Sequence, residues 1–368
     1  MEQALQDSMA LETHREELEA TAAALARPGS GLLAADESTG TIGKRFAAIG
    51  LENSEEHRRA YRTLLATAPG LGASISGVIL YEETLFQEAA AVGGLAAGSI
   101  LERFRDQGLV VGIKVDQGVE PLPGGLPGES WCTGLKGLRE RAARYYARGA
   151  RFAKWRAVLR ISADGSPSEL CVRENAWGLA RYARTVQEEG LVPIVEPEIL
   201  MDGNHDILTT AAVQEWVLRT VYEVLGLNGV FLEGSLLKPS MTLPGASCPQ
   251  RPSPEQVAEF TVRTLRRSVP AAVPAILFLS GGLGEEDASV YLNAINHVPG
   301  SPWHLGFSYG RALQHSCLSH WGGSDTAAGQ AALLARATAN GDAARGLYVA
   351  GSQPSDDAAS LFVANYSY

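Results

Sequence analysis

Gly229-Val-Phe-Leu-Glu-Gly-Ser-Leu-Leu-Lys238 is an apolar run that stops on a lysine immediately before Pro239. A run this rich in Val, Phe and Leu reads as a strand of a parallel sheet, covered on both faces. An ammonium at the end of such a strand is partly removed from water. Desolvation disfavours its charged form and makes the amine a nucleophile. The arrangement recurs at Ile113-Lys114, Ala153-Lys154 and Val195-Glu196. A single buried charge is a packing accident, whereas strand after strand ending on an ionisable group reads as a reaction site.

Outward from that run, eight strand-like segments lie along the chain, at 32–36, 75–80, 109–115, 152–159, 191–196, 230–238, 275–280 and 303–307. Helix-period segments separate them at 55–66, 137–148, 172–189, 210–225, 255–267, 285–295 and 327–344. Ser253-Pro254-Glu255-Gln256 is a well-formed helix start, with Ser as cap, Pro at the first helical position and Gln three residues after the cap. Thr13 and Glu16 suggest a capping box ahead of a Leu/Ala-rich helix ending near Arg27-Pro28-Gly29.

Buried strands alternating with helices predict an α/β fold, a (β/α)8 TIM barrel. Such a barrel takes about 250 residues. The surplus of this 368-residue chain is assigned to an N-terminal helix, an insertion at 118–137 and a tail. The rival, an open doubly wound sheet, usually carries a Gly-rich phosphate fingerprint after its first strand. Asp36-Glu-Ser-Thr-Gly-Thr41 is not one. No compositional break divides the chain, so the expected organisation is one barrel domain over 1–350 and a flexible C-terminal tail over 351–368 that reaches the active site.

A formal charge of −10 argues against nucleic acid and anionic membranes as partners. An anionic substrate must then be met by local clusters of Arg, Lys and backbone N–H groups. No apolar stretch approaches the length of a membrane span. The start, Met1-Glu-Gln-Ala-Leu-Gln-Asp7, resembles neither a secretory signal nor a transit peptide. The expected compartment is therefore the cytoplasm, or the plastid stroma if the chain is a processed form. Cys132, Cys171, Cys248 and Cys317 lie far apart and read as reduced thiols. His205, His297, His304, His315 and His320 show no metal-ligand spacing, and no metal is expected.

In a parallel barrel, catalytic groups sit at the C-terminal ends of the strands. Those ends read, in order, Asp36, Lys114 with Asp116, Lys154 with Arg156, Glu196 with Glu198, Lys238, Ser280 and Ser308. An internal ion-pair network accounts for any one of these charges. It accounts poorly for the set, because buried charges are expensive unless paired and clustered. Two amines beside a carboxylate suggest Schiff-base chemistry: Lys238 attacks a ketone, and the protonated imine acts as an electron sink for breaking a neighbouring C–C bond. Lys154 favours the neutral amine of Lys238 through like-charge repulsion, and Glu196 and Asp36 can move protons. Ser280-Gly281-Gly282 and Ser308-Tyr309-Gly310-Arg311 look like an anion site after the last two strands, the usual phosphate seat of this fold. Lys44-Arg45 with Lys114 forms a second cation cluster. Two anion seats around a central lysine suggest a substrate with phosphate at both ends.

These residues carry a family resemblance. Over nearly its whole length the chain resembles the class I, Schiff-base fructose-bisphosphate aldolases. The matching stretches are Leu33-Ala-Ala-Asp-Glu-Ser-Thr-Gly40, Gly112-Ile-Lys-Val-Asp116, Phe152-Ala-Lys-Trp-Arg156, Val192-Pro-Ile-Val-Glu-Pro-Glu-Ile-Leu200, Leu236-Leu-Lys-Pro239, Phe278-Leu-Ser-Gly-Gly282 and Phe307-Ser-Tyr-Gly-Arg-Ala-Leu313. Glu129-Ser-Trp-Cys132 and Ala176-Trp-Gly-Leu-Ala-Arg-Tyr182 look most like plastid-type members. The resemblance implies reversible cleavage of fructose 1,6-bisphosphate to dihydroxyacetone phosphate and glyceraldehyde 3-phosphate, without metal or cofactor, in glycolysis, gluconeogenesis or the Calvin cycle. It implies a homotetramer. Lys238 would form the Schiff base and Glu196 would accept and donate protons, while Asp36 and Lys154 assist the carbinolamine and C–C bond steps and Glu198 belongs to the same catalytic group. Thr41, where many members have serine, would take the distal phosphate with Arg45 and Lys114, and Ser38 and Arg156 would also bind substrate. Ser280, Gly281, Gly282, Ser308, Gly310 and Arg311 would hold the phosphate beside the ketone. Gly282-Leu-Gly-Glu-Glu-Asp287 departs from the family's usual context after these glycines. Tyr368 matches a terminal tyrosine that assists proton exchange on the enamine. Two further readings are a preference for sedoheptulose 1,7-bisphosphate, which also carries phosphate at both ends, and a non-catalytic scaffold.

Overall fold

The computed structural model describes residues 2–89, 98–356 and 360–363, with side chains from Leu11 onward. Its parallel strands are β1 Gly31–Ala35, β2 Ile75–Leu80, β3 Val110–Lys114, β4 Phe152–Leu159, β5 Val192–Ile199, β6 Leu236–Leu237, β7 Ala275–Phe278 and β8 His304–Tyr309. Each pairs with its neighbours in sequence order, and β8 closes the ring on β1. With helices between the strands, this is the (β/α)8 barrel that the alternation predicts.

Side chains alternate across a strand, so each strand divides into an inward and an outward set. On β4, Ala153, Trp155 and Ala157 join the core under the helices, and Phe152 joins a second cluster inside the barrel. That inner cluster also takes Leu32 and Ala34 from β1, Val192 and Ile194 from β5, Leu236 from β6, and Ala275 and Leu277 from β7. Leu18, Ala22 and Leu25 of the N-terminal helix Glu2–Leu25 close it from below. A side chain on Gly112 would collide with the Phe152 ring, so the glycine on β3 makes room for the largest inward residue of β4. The inward set, continued upward by two residues per step, reaches Asp36, Lys154, Glu196 and Lys238. The barrel is therefore apolar in its lower layers and charged in its upper one.

The helices Glu55–Ala66, Leu138–Arg148, Glu169–Glu188, Ile207–Leu227, Pro254–Ser268, Glu285–His297 and Thr326–Ala343 lie close to their predicted ranges. Ser253 and Gln256 form the capping box, with Pro254 inside it. Other expectations need correction. The sixth strand is two residues long, and much of the run before it forms a short 3-10 turn, Leu232–Gly234. Its apolar side chains serve the barrel floor instead: Phe231 lies in the inner cluster, and a side chain on Gly234 would meet Leu18 Cβ at 2.9 Å. Thr13 is not a helix start, because the N-terminal helix already runs from Glu2. Helices Thr39–Ala48, Ile100–Asp106 and Arg311–Trp321 were not anticipated.

The insertion at 118–137 folds into an antiparallel hairpin, Val119–Pro121 with Ser130–Cys132. Glu129 ties the hairpin to the next helix by accepting from Ser168 N at 2.6 Å and Ser168 Oγ at 2.7 Å. The four cysteines are buried and unlinked. Among the described residues, no helix is long and apolar enough to cross a membrane.

Candidate active site

Strand register assembles the charged layer. Lys114 on β3 is level with Lys154 on β4, and Arg156 is level with Glu196 on β5. The closest ion pair of Lys154 crosses the barrel from β4 to the end of β1, and others join neighbouring strands. Lys154 Nζ lies 2.7 Å from Asp36 Oδ2, 3.5 Å from Glu196 Oε2 and 4.0 Å from Asp116 Oδ2. Arg156 Nε donates to Glu198 Oε2 at 2.5 Å. Lys238 Nζ lies 3.0 Å from Glu196 Oε1, and its backbone N–H donates to Val195 O at 2.8 Å, which fixes the end of β6 against β5. Lys114 Nζ lies 3.4 Å from Asp116 Oδ1. Lys114, Lys154, Arg156 and Lys238 thus face Asp36, Asp116, Glu196 and Glu198, all closely buried except at the mouth, and the layer is charge-balanced.

The balance sets the protonation states. Burial alone would neutralise Lys154, but Asp36, Glu196 and Asp116 outweigh it and hold the ammonium charged well above its ordinary range. Burial likewise works against Asp36, yet Lys154, then Lys238 and Lys114, keep its carboxyl far below the usual carboxylate range. Glu196 is lowered against the same burial penalty by Lys238, Lys154 and Arg156. The two lysines therefore meet through Glu196, one on each oxygen. An ionised carboxylate at 3.0 Å from an amine is within proton-transfer reach of it.

Two candidate anion seats flank this layer. Ser38 caps the helix Thr39–Ala48, accepting from Thr41 N at 3.3 Å, and its hydroxyl lies 3.0 Å from Thr41 Oγ1. Ser38 and Lys114 line a cavity of about 280 Å³ with Tyr81, Gln117, Arg141 and Tyr145. Arg45, a turn further along the helix, pairs with Glu37. Its guanidinium reaches toward β8, where a Cβ on Gly310 would lie 3.8 Å from Arg45 Nη2. Arg45 is thus placed between the two seats.

On the other side, Ser280 follows β7, and Gly281 and Gly282 have φ of 58° and 102°. Such positive φ suits glycine and turns the backbone sharply. Ser308 on β8 is in register with Leu32, and its buried Oγ makes no hydrogen bond within the described residues. Gly310 caps the helix Arg311–Trp321, whose N-terminal amides face the same region. Part of the tail rests here: Ser360 Oγ donates to Gly282 O at 3.1 Å, Arg311 Nη1 donates to Leu361 O at 2.5 Å, and Phe362 packs on Gly282. Tyr368 lies outside the described residues.

The structure gathers Asp36, Lys114, Lys154, Arg156, Glu196, Glu198 and Lys238 into one layer, with Ser38, Thr41, Arg45, Ser280, Gly281, Gly282, Ser308, Gly310 and Arg311 around it. Asp116 is as central as any of these, although sequence reasoning noted it only as a strand end. Glu37, which pairs with Arg45, and Arg62 and Gln314, which donate to Glu37, were missed. Only Glu37 had a signal, its place beside Asp36. Among the described residues, no group of His, Cys, Asp or Glu is arranged to hold a metal ion.

Known proteins resemble the chain over most of its length. Residues 17–368 match the family model for fructose-bisphosphate aldolase class-I. The chain is 53% identical over 355 residues to a chloroplastic fructose-bisphosphate aldolase of Oryza sativa subsp. japonica, covering 96% of this chain and 89% of that protein. It is 54% identical over 356 residues to cytosolic fructose-bisphosphate aldolase 4 of Arabidopsis thaliana, with the same coverage of 96% and 89%. A solved structure of fructose-bisphosphate aldolase from Plasmodium falciparum superposes with a TM-score of 0.89 at 51% identity, covering 91% of this chain and 96% of that one.

Proposed function

We propose, since this chain belongs to the class-I fructose-bisphosphate aldolases, that Lys238 carries its reaction, the reversible aldol cleavage of fructose 1,6-bisphosphate to dihydroxyacetone phosphate and glyceraldehyde 3-phosphate. The observation that supports the assignment is the 3.0 Å approach of Lys238 Nζ to Glu196 Oε1, with Lys154 on the other carboxylate oxygen. Glu196 takes a proton from Lys238, and the free amine adds to the ketone carbon. The carbinolamine loses its hydroxyl as water and becomes an iminium. Lys154, kept cationic by Asp36, stabilises the oxygen during this step. Glu196, having given its proton to the departing hydroxyl, takes the proton of the C4 hydroxyl, and the C3–C4 bond breaks. Its electron pair enters the iminium to give an enamine, and the aldehyde product leaves. Protonation of the enamine carbon regenerates the iminium, and water hydrolyses it to release the ketone product. The water lost earlier is thus returned, and no redox partner is needed.

Substrate phosphates occupy the two seats. The one beside the ketone lies on Ser280, Gly281, Gly282, Ser308, Gly310 and Arg311, and the distal one lies near Ser38, Thr41, Lys114 and Arg156. Glu198 orients Arg156 at the mouth. Tyr368 relays the proton to the enamine carbon, brought there by a tail (351–368) that leaves the barrel domain (1–350). The active assembly is a homotetramer, for which the exposed Leu208, Trp216 and Leu227 of one helix offer apolar surface. The relatives include chloroplastic and cytosolic enzymes.

Borohydride added with dihydroxyacetone phosphate should reduce the imine, inactivate the enzyme and mark Lys238 in peptide mapping. An adduct on any other lysine would refute the assignment.

A further inference from the structure

Glu37 has no part in these steps, yet it is tied into the anion seats from three sides. Its side chain is 1% exposed and accepts from Arg45, from Arg62 Nη2 at 2.6 Å and from Gln314 Nε2 at 3.1 Å. Gln314 Nε2 also donates to Ala34 O at 2.8 Å and lies 3.4 Å from Gly310 O, so β1, Glu37 and the turn at Gly310 are bonded together. The two arginines are not equivalent. Arg62, on the helix Glu55–Ala66, is locked in the interior with its side chain 3% exposed. Arg45 is 14% exposed, stands between the seats and borders Gly310.

We propose that Glu37 is a positioning residue that holds Arg45 as a reserve cation between the two anion seats, and that substrate phosphate competes with Glu37 for it. The inference rests on the aldolase reading for the identity of the anion. One carboxylate shared by two guanidiniums leaves the trio with a single net positive charge. When a phosphate arrives, Arg45 can turn to it, and Glu37 keeps a full counter-charge in Arg62. When the phosphate leaves, Glu37 recaptures Arg45. No charge is stranded in either state, which is the condition for buried ions to be tolerated. Burial disfavours the charged form of Glu37, but Arg45 and Arg62 outweigh it and hold the carboxyl below its usual range, so it is ionised at neutral pH. The arrangement weakens phosphate binding relative to an uncommitted arginine, which speeds product release.

This gives effects of opposite sign. Inorganic phosphate is titrated calorimetrically into the full chain and tested as an inhibitor of cleavage. Glu37→Gln removes the competitor, and phosphate should bind about ten- to thirtyfold more tightly, the change expected for one charge-assisted contact. Turnover should fall with KM. Arg62→Met leaves Glu37 wholly to Arg45, and phosphate should bind more weakly. The double variant Glu37→Gln/Arg62→Met keeps the net charge of the trio and covers the case in which Glu37→Gln alone does not fold. It too should bind phosphate more tightly than wild type. A merely structural role would weaken binding in all three. Unchanged or weaker phosphate binding in Glu37→Gln or in the double variant would overturn the clamp. Calorimetry reads the clamp without catalysis, whereas a wild-type chain that fails to cleave fructose 1,6-bisphosphate would instead overturn the aldolase reading.

Discussion

Lys154→Met tests whether the charged layer is held by balance rather than by any single pair. The substitution keeps an unbranched side chain of similar length and removes the cation 2.7 Å from Asp36 and 3.5 Å from Glu196. Four carboxylates then face three cations in a closed layer. Breaking a buried pair costs about 3–5 kcal/mol. The excess carboxylate can avoid that cost by binding a proton, and this makes the penalty depend on pH. In the wild type, Asp36 and Glu196 sit below their ordinary values of 3.8 and 4.5. Their stabilisation is complete above those values and lost only as pH falls through the depressed ones, so it is constant between pH 5.5 and pH 7.5. In the variant a carboxyl is raised instead. It destabilises the fold increasingly as pH climbs above its ordinary value, by about 1.4 kcal/mol per unit, until it ionises. The stability gap between wild type and variant should therefore be about 3–5 kcal/mol at pH 7.5 and smaller by up to about 2.7 kcal/mol at pH 5.5. Urea unfolding followed by tryptophan fluorescence measures it, since the adjacent Trp155 is fully buried against Tyr182. An equal gap at both pH values would refute the balanced-layer argument.

Arg311→Ala removes the guanidinium at the mouth of the ketone-side seat and should raise KM for the bisphosphate by about thirtyfold, the equivalent of about 2 kcal/mol for a charge-assisted contact; an unchanged KM would mean that the anion sits elsewhere. Deleting Tyr368 should slow exchange of dihydroxyacetone phosphate protons with solvent while leaving borohydride trapping at Lys238 intact, and solvent-tritium exchange at the wild-type rate would remove the tyrosine from the mechanism. Light scattering of the purified chain should return about four times its 39.0 kDa mass, and a monomer would exclude the tetramer.

The barrel was legible because strands buried on both faces must be written as short apolar runs, and because most of the runs here, though not Ile75–Leu80, lead into a polar or charged residue. Where the two signals separate, reading falters. The run before Lys238 is apolar to serve the barrel floor through Phe231, not to extend a strand, and periodicity cannot distinguish these uses. Helix Thr39–Ala48 escaped notice because its residues are chosen for the site: Thr39-Gly-Thr-Ile-Gly43 is a weak helix former, held by the Ser38 cap. The ionisable ends of β1, β3, β4, β5 and β6 could be found one by one, but their pairing is a product of register and barrel closure. That Glu196 divides its oxygens between two lysines is not written in any local stretch. Arg62 and Gln314 lie on helices far from the motifs and reach Glu37 only through packing.

The place where the tail rests also decides how this protein can be handled as a reagent. Val363 is the last described residue, five short of Tyr368, and Leu361 already touches Arg311. A fluorophore, affinity tag or fusion partner appended after Tyr368 is separated by only five residues from a segment that contacts the mouth. The opposite pole is a different material. Helix Glu2–Leu25 forms the floor through Leu18, Ala22 and Leu25, with the apolar layers of the barrel between it and Lys238. Immobilised through the amino end, the molecule presents its working face to the medium; anchored through the carboxyl end, it presents that face to the support.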